Sequence, residues 1–136
     1  MRSLGLIFAT LVLIATTCNS THAEEPNNAL KAELCEGGIA EVMVEFGDVT
    51  YSKCVTKRII IENKTTSTIA LLDYSTTCRC TWLDLPNKAI APNGSAEATI
   101  TFDSRGEWGS VGNYLSIETS NESCKVAIWM SAEVVR

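Results

Sequence analysis

Short runs in which apolar and polar residues alternate recur along the chain from Ile39 onward, and this pattern limits the fold more than any other feature. In residues 96–102 every second position is small or apolar and the intervening positions are polar, the apolar set being Ala96, Ala98, Ile100 and Phe102. Successive side chains of a β-strand point to opposite faces of a sheet, so this run predicts a strand with one buried face.

Several runs of this kind follow one another with turn residues between them, at 39–46, 55–62, 68–74, 78–83, 96–102, 113–119 and 125–135. About seven short strands at a spacing of roughly ten residues are typical of an all-β fold, the immunoglobulin-like antiparallel β-sandwich. Ahead of them, residues 29–35 are long enough for one helical turn, which Gly37 and Gly38 would end.

The start of the chain has the layout of a secretory signal peptide. An apolar run at 4–16 follows Met1 and Arg2, is too short to span a bilayer comfortably, and leads into small and polar residues that end at Ala23. We expect a signal peptide at 1–23, a flexible lead-in at 24–38 and the sandwich domain at 39–136. The mature chain is then exported, periplasmic or associated with the cell envelope, and has no membrane span.

A lipoprotein signal is the alternative interpretation of the same segment. Cys18 lies just after the apolar run, where such a signal has its acylated cysteine, although Ala15 and Thr17 depart from the residues preferred there. Cys18 would then carry a lipid anchor.

The acidic net charge and the lack of histidine after residue 22 exclude several functions. The chain has 11 Lys and Arg against 16 Asp and Glu, without any basic run, which argues against nucleic acid or anionic membranes as partners. The only His, His22, falls at the expected cleavage region, so the mature domain lacks the usual base of a hydrolase triad and we expect no enzyme. A glycosidase pair made from Asp84 or Asp103 with Glu107 is less plausible than solvated loop carboxylates.

Several blocks, in order, resemble one family of secreted bacterial proteins: VEFGDV at 44–49, IEN at 61–63, TCRCT at 77–81, IAP at 90–92 and ITFDS at 100–104. That family has only a placeholder name, domain of unknown function "fifteen seventy-three". The resemblance covers 42–135 and implies an exported immunoglobulin-like domain of a kind frequent in Bacteroidota, with no catalytic residues to transfer. The sequence departs from the family pattern at Val44, Arg79 and Asn93, where Phe, Gly and Gly are usual.

The TCRCT block holds two cysteines one residue apart. In an extended segment Cys78 and Cys80 would share one face, where two thiols can bind a soft metal, exchange with a partner thiol or each pair elsewhere. Cys54 is expected at the same end of the sandwich, and the three together could hold Cu(I) or Zn(II). The simpler interpretation is a disulfide from Cys54 to one of the pair. Apart from this alternative metal site we expect no cofactor.

Cys35 and Cys124 precede the first and the last predicted strand, which begin at the same end of an up-and-down sandwich. We therefore predict a disulfide between them, worth roughly 4 kcal/mol by the loop-entropy model. With Cys18 set aside the cysteine count is odd, so at least one thiol is free, metal-bound or paired with another molecule.

Two tryptophans are candidate partner-binding residues. Trp129 shares strand parity with charged and polar residues, so it is predicted to face solvent, and Trp108 lies in a glycine-rich loop. Exposed Trp suits binding to a glycan or a protein, whereas the competing interpretation is that these rings cap the edges of the core. We predict a non-catalytic interaction or structural module at the bacterial cell envelope, with an envelope protein or glycan as partner. The alternative is a soft-metal or thiol-exchange protein that uses Cys78 and Cys80.

Overall fold

The computed structural model describes residues 30–86 and 89–136, and in these residues it contains nine β-strands and no helix. The strands are β1 Leu30–Leu34, β2 Ile39–Thr50, β3 Cys54–Asn63, β4 Ile69–Thr76, β5 Thr81–Asp84, β6 Ala89–Ile90, β7 Ser95–Asp103, β8 Gly109–Thr119 and β9 Lys125–Val135. The predicted all-β sandwich is confirmed, and the described ranges hold more strands than the sequence pattern indicated.

Two sheets form the layers of the sandwich. The four-stranded sheet has the order β1-β3-β7-β5, and the five-stranded sheet has the order β2-β9-β8-β4-β6. Most neighbours are antiparallel, as predicted, but β1 runs parallel to β3 and β2 runs parallel to β9. The chain therefore passes from one sheet to the other between β1 and β2, at residues 35–38.

Strand β1 lies where the sequence predicted a flexible lead-in and at most one helical turn. It pairs with β3 from Leu30 opposite Ile59 to Leu34 opposite Asn63, and Ala32 and Leu34 are buried. So short a segment has too few turns of periodicity to distinguish strand from helix, and the free edge of β3 decides its conformation. Residues 30–34 therefore belong to the sandwich.

The core lies between the sheets and is formed by the alternate residues that the pattern indicated. In β7 the four small or apolar residues are at most 6% exposed. The matching sets in the other strands include Val42 and Val44, Ile59 and Ile61, Leu115 and Ile117, and Val126, Ile128 and Met130. Burial of these side chains away from water is the main force that holds the two layers together.

The predicted signal peptide at 1–23, its cleavage site after Ala23 and the alternative lipidation site Cys18 lie outside the described residues. Within the part that is described, no helix has the length and apolar character needed to cross a bilayer.

A bulge in β2 brings one aromatic residue against the other sheet. The register of β2 with β9 shifts between Glu45 and Asp48, and Gly47 has a φ of 71° there, which glycine adopts at little cost. Phe46 then packs on Phe102 of β7, with the ring centroids 5.9 Å apart.

The side chain of Asn63, at the end of β3, joins the two sheets. It is fully buried, and its Nδ2 donates to the carbonyl oxygens of Ser67 and Ile90, both at 2.8 Å. Its Oδ1 accepts from the backbone N–H of Thr65 at 2.9 Å and from the Thr65 hydroxyl at 2.6 Å. All the polar atoms of the amide are therefore satisfied, and the bond to Ile90 ties β3 in one sheet to β6 in the other.

The backbone around Asn63 closes the same junction. Its N–H donates to the carbonyl of Gly94, and its carbonyl accepts from the N–H of Asn93. Asn93 has a φ of 68°, in the left-handed region that Gly and Asn tolerate best, which explains how Asn can stand where the family pattern has Gly. The next residue, Lys64, donates its N–H to the carbonyl of Leu34 and so fixes the end of β1.

Cys35 and Cys124 meet at the crossing between β1 and β2, but they are not bonded. The Cys124 thiol is buried and donates to the Cys35 carbonyl oxygen at 3.1 Å, and both thiols are free. The structure thus brings together the two residues that the sequence paired, and the disulfide stays a prediction.

We expect Asn63→Ala to lower the free energy of unfolding by about 2–4 kcal/mol, because it leaves the buried Ile90 carbonyl and the buried Thr65 N–H without the amide that binds them. Urea denaturation measures this loss. The matched control is Asn121→Ala: Asn121 Oδ1 accepts from the N–H and hydroxyl of Ser123 in the same local geometry, but in an exposed turn. Water replaces those bonds, so the control should lose no more than about 1 kcal/mol. Equal losses in both variants would contradict the role of Asn63.

We also expect mild oxidation to join Cys35 to Cys124 and to raise the melting temperature, because the bond would span a separation of 89 residues. Closure of so long a loop stabilises by up to about 4.6 kcal/mol in the loop-entropy model. Peptide mapping without reduction detects the bond, and scanning calorimetry measures the shift. A Cys35→Ser variant should show neither, and a bond that forms without a rise in melting temperature would count against this prediction.

Candidate functional site

The turn that joins β4 to β5 carries both cysteines of the Cys-x-Cys motif. Thr77, the first residue after β4, makes two hydrogen bonds with Tyr114 of β8. Its N–H donates to the Tyr114 carbonyl at 3.1 Å, and its hydroxyl accepts from the Tyr114 N–H at 3.0 Å. The Cys78 carbonyl then accepts from the Thr81 N–H at 3.2 Å, which closes the turn. The Cys80 carbonyl accepts from Asp103 of β7 at 2.8 Å. The turn is thus anchored on one strand of each sheet.

Cys78 and Cys80 are bonded to each other in this turn. Their Cα atoms are 5.1 Å apart, within the range that a disulfide requires, and both residues are half-buried. The extended conformation considered from the sequence is therefore wrong for this segment, because strand β4 ends at Thr76 and β5 begins only at Thr81. The simpler interpretation, a disulfide from Cys54 to one of the pair, is also wrong, because the pair is already bonded internally.

The two sulfurs have different hydrogen-bond partners. Cys80 Sγ accepts from Asn113 Nδ2 at 3.2 Å and lies 3.5 Å from the Thr81 hydroxyl. Cys78 Sγ accepts only a local bond among those the structure gives, from the N–H of Cys80 at 3.1 Å. The Asn113 amide is held in place by the Thr81 hydroxyl at 3.0 Å and by the Met130 sulfur at 3.6 Å. An amide donor from β8 therefore supports one sulfur of the pair.

Glu107 is the third potential metal ligand at the turn. Ligand atoms of Cys78, Cys80 and Glu107 lie within 4.8 Å of one another. Cys54 was predicted in this place, but it pairs with Asp103 on the far side of β7, two strands from the turn, and it is disulfide-bonded. Two bonded sulfurs offer no thiolates, so this set could hold a soft metal only after reduction. Metal binding stays a prediction.

The Cys78–Cys80 bond contributes little to the stability of the fold. In the loop-entropy model, closing a loop of three residues is worth about 1.6 kcal/mol, against about 4.7 kcal/mol for a loop of 100 residues. The backbone hydrogen bonds of the turn and its anchors on β7 and β8 already define its position. A structural role therefore explains this disulfide poorly.

A row of outward-facing side chains, two of them exposed and one half-buried, crosses the five-stranded sheet. Met43 of β2 is opposite Trp129 of β9, which is opposite Tyr114 of β8. Met43 is 60% exposed and Trp129 is 46% exposed, and the rings of Trp129 and Tyr114 are 4.5 Å apart at 49°. We call Met43, Trp129 and Tyr114 the aromatic row. Trp129 thus faces outward, as its parity indicated.

The five-stranded sheet that carries the aromatic row is strongly acidic. Strands β2, β4, β8 and β9 hold one basic residue, Lys125, and the acidic residues Glu41, Glu45, Asp48, Asp73, Glu118 and Glu133. Glu41 and Glu45 flank Met43 on its own strand, with the same outward parity. The strands of the other sheet mix both signs, with Lys31, Lys57 and Arg58 among their acids. The acidic character therefore belongs to one face of the sandwich.

Trp108 occupies a separate site. It stacks on Tyr51 with centroids 4.5 Å apart, and the Arg136 guanidinium lies 4.5 Å from its ring on the margin of an open pocket of about 420 Å³ that Thr50 also lines. Arg136 is seven residues from Trp129 along the β9 segment, or about 23 Å at the rise of a strand. The two tryptophans that the sequence grouped as partner-binding residues therefore do not form one patch.

Sequence reasoning missed Asn113, Glu107 as a neighbour of the sulfurs, and Tyr114. A signal existed for two of them: in 113–119 the parity of the buried residues places Asn113 on the inward side and Tyr114 on the outward side. A polar residue at an inward position indicates a specific partner. Nothing in the local pattern connects Glu107 to the turn.

Comparison with solved structures supports the fold. A protein of unknown function from Porphyromonas gingivalis W83 superposes with a TM-score of 0.58 at 20% identity, over 77% of this chain and 48% of that chain. The chain thus spans about half the length of that protein. The ASH/PapD-like domain 7 of human CEP192 superposes with a TM-score of 0.59 at 11% identity, over 91% of this chain and 97% of that domain. At these identities the likeness concerns the fold alone.

No curated protein matches the chain in sequence. A family model does match: that of the family described as "Protein of unknown function (DUF1573)", over residues 38–134. This is the family that the blocks from VEFGDV to ITFDS resemble, and the match includes all of them. The chain therefore belongs to the DUF1573 family.

Proposed function

We propose that this chain is an exported, non-catalytic binding module of the bacterial cell envelope, and that it binds a basic polypeptide segment on the aromatic row. The observation that carries the proposal is the aromatic row itself, three adjacent side chains in register across a sheet whose charged residues are acidic except for Lys125. Exposed aromatic residues at the centre of a patch with a polar rim are typical of binding sites for proteins.

Charge selects the class of partner. The acids around the row favour a positively charged segment and repel an acidic one, both during approach and in the complex. An Arg or Lys side chain can lie over the Trp129 and Tyr114 rings while its charge pairs with Glu41 or Glu45. A neutral glycan would stack on the same rings but would gain nothing from the acids, so we favour a protein segment over a glycan.

Export is supported by the apolar run at 4–16 and by the resemblance to secreted proteins. The absence of a histidine after residue 22 supports a non-catalytic role.

Binding to the row can be measured with a synthetic peptide that contains Arg and Leu and with a counterpart in which Glu replaces Arg. We expect the Arg peptide to bind and the Glu peptide not to bind in fluorescence anisotropy at low salt, and we expect added salt to weaken binding. Trp129→Ala should weaken binding on the order of 30-fold, as for a central aromatic contact. Trp108→Ala is the matched control, because it removes an equally large exposed ring from another site. The proposal would be contradicted if both variants weakened peptide binding equally. It would also be contradicted if a neutral oligosaccharide displaced the peptide while added salt left its affinity unchanged.

Export can be tested by expressing the full chain in a Bacteroidota host and measuring the intact mass of the product. We expect the mass of a chain that begins at Glu24, recovered from the periplasm or envelope. A lipid adduct on a chain that begins at Cys18 would support the lipoprotein alternative and would keep the envelope location. A cytoplasmic product that retains Met1 would contradict export.

A further inference from the structure

We propose that the Cys78–Cys80 disulfide is a thiol–disulfide exchange site, in which the thiolate of a dithiol protein attacks Cys78 Sγ and Cys80 is the leaving thiolate. This inference goes beyond the binding function above and does not depend on it. It rests on the position of the disulfide, on the hydrogen bonds of its two sulfurs and on the charge of Glu107.

The first support is that the disulfide is accessible and dispensable for the fold. Both cysteines are half-buried in a surface turn, whereas Cys124 is fully buried. Opening the bond leaves the anchors of the turn in place, since the bonds from Thr81 to the Cys78 carbonyl and from Asp103 to the Cys80 carbonyl involve backbone atoms only. The turn can therefore hold both the disulfide and the dithiol without unfolding.

The second support is the asymmetry of the sulfurs, which sets the direction of attack. In exchange, the sulfur whose thiolate is better stabilised is the better leaving group. Asn113 Nδ2 donates to Cys80 Sγ from β8, a strand outside the turn, and the Thr81 hydroxyl lies close by. The donor to Cys78 Sγ is the N–H of Cys80, inside the turn itself. Its geometry depends on the closed ring, so it is weakened when the S–S bond breaks.

The reaction is balanced by a partner dithiol. The first partner thiolate forms a bond to Cys78 Sγ and the Cys78–Cys80 bond breaks, which releases the Cys80 thiolate. The second partner thiolate then attacks the partner sulfur of this mixed disulfide and releases the Cys78 thiolate. The partner loses an electron pair and becomes a disulfide, and Cys78 and Cys80 gain that pair and, after protonation, become two thiols.

Glu107 limits which thiols can react. Its carboxylate lies within 4.8 Å of both sulfurs, so it repels an approaching thiolate and opposes the charge that develops on Cys80. The exposed Arg79 between the cysteines supplies the one positive charge within the turn. Asn113 favours the leaving group and Glu107 slows attack, so substitutions of the two should change the rate in opposite directions.

The experiment treats the purified, unreduced chain with reduced glutathione as the probe thiol, stops the reaction by alkylation and maps the adducts by mass spectrometry. We expect glutathione on Cys78 and the alkyl group on Cys80, in an excess of about tenfold over the reverse. Predominant glutathionylation of Cys80 would overturn the direction of attack. Exchange no faster than that of an unstrained linear disulfide, such as oxidised glutathione under the same conditions, would overturn the site as a whole.

Two substitutions test the mechanism. Asn113→Asp keeps the size of the side chain but removes the N–H donor to Cys80 Sγ and to the Thr81 hydroxyl. We therefore expect exchange to slow about fivefold or more and the preference for Cys78 to shrink. Glu107→Gln should speed exchange, because it removes a negative charge from the path of an anionic nucleophile. A change in rate without a change in the ratio of adducts would assign Asn113 a merely structural role and would contradict the proposed one.

A double variant separates this site from a structural bridge. Cys78→Ser with Cys80→Ser should remain folded, with a melting temperature within a few degrees of the wild type and with peptide binding to the aromatic row unchanged. Unfolding of this variant would show that the bond is structural and would contradict the inference. Because the row is tested through Trp129 and the exchange site through Cys78, failure of one proposal is distinguishable from failure of the other.

Discussion

The buried amide of Asn63 is the constraint on which the arrangement of the two sheets depends. Hydrophobic burial alone would let two apolar faces slide over each other, because it has no direction. The Asn63 amide has fixed donors and acceptors, and it binds the carbonyl of Ile90 across the sandwich while its backbone binds the loop at Asn93 and Gly94. A buried amide that is fully satisfied in one arrangement loses several bonds in any other, so it selects a single register of the layers.

Within the five-stranded sheet, the pairing of β8 with β9 and β4 determines what β8 presents on each side. A strand alternates sides at every residue, and in β8 the alternation places Asn113 toward the disulfide turn and Tyr114 outward beside Trp129. A shift of one residue would exchange these two side chains, and both candidate sites would be lost. The position of β8 therefore forms part of both the exchange site at Cys78 and Cys80 and the aromatic row, although the chemistry of the two sites is independent.

The sequence predicted those parts of the structure that depend on local periodicity. Alternation in residues 96–102 correctly predicted the buried face of β7, and the parity of Trp129 correctly predicted an exposed ring. It could not predict that residues 30–34 form a strand, since that depends on the free edge of β3. It could not place Glu107 or Asn113 beside the cysteines either, because they come from a distant part of the chain and only the pairing of β4, β5, β7 and β8 brings them there. Periodicity reports which way a side chain points and carries no information about which strands become neighbours.

Electrostatics connects the two candidate sites more closely than their separate chemistry suggests. A free thiolate that approaches Cys78 meets the carboxylate of Glu107 and the acidic face beyond Tyr114, so both charges slow it. A thiol carried by a basic segment is attracted by the same acids. The disulfide is also near the row, because Thr77, which is hydrogen-bonded to Tyr114, directly precedes Cys78 in the chain. A segment bound on the aromatic row would therefore end close to the disulfide. The acidic face would then do more than bind a partner, because it would also favour a thiol carried by a basic segment over small anionic thiols, which react more slowly with the disulfide.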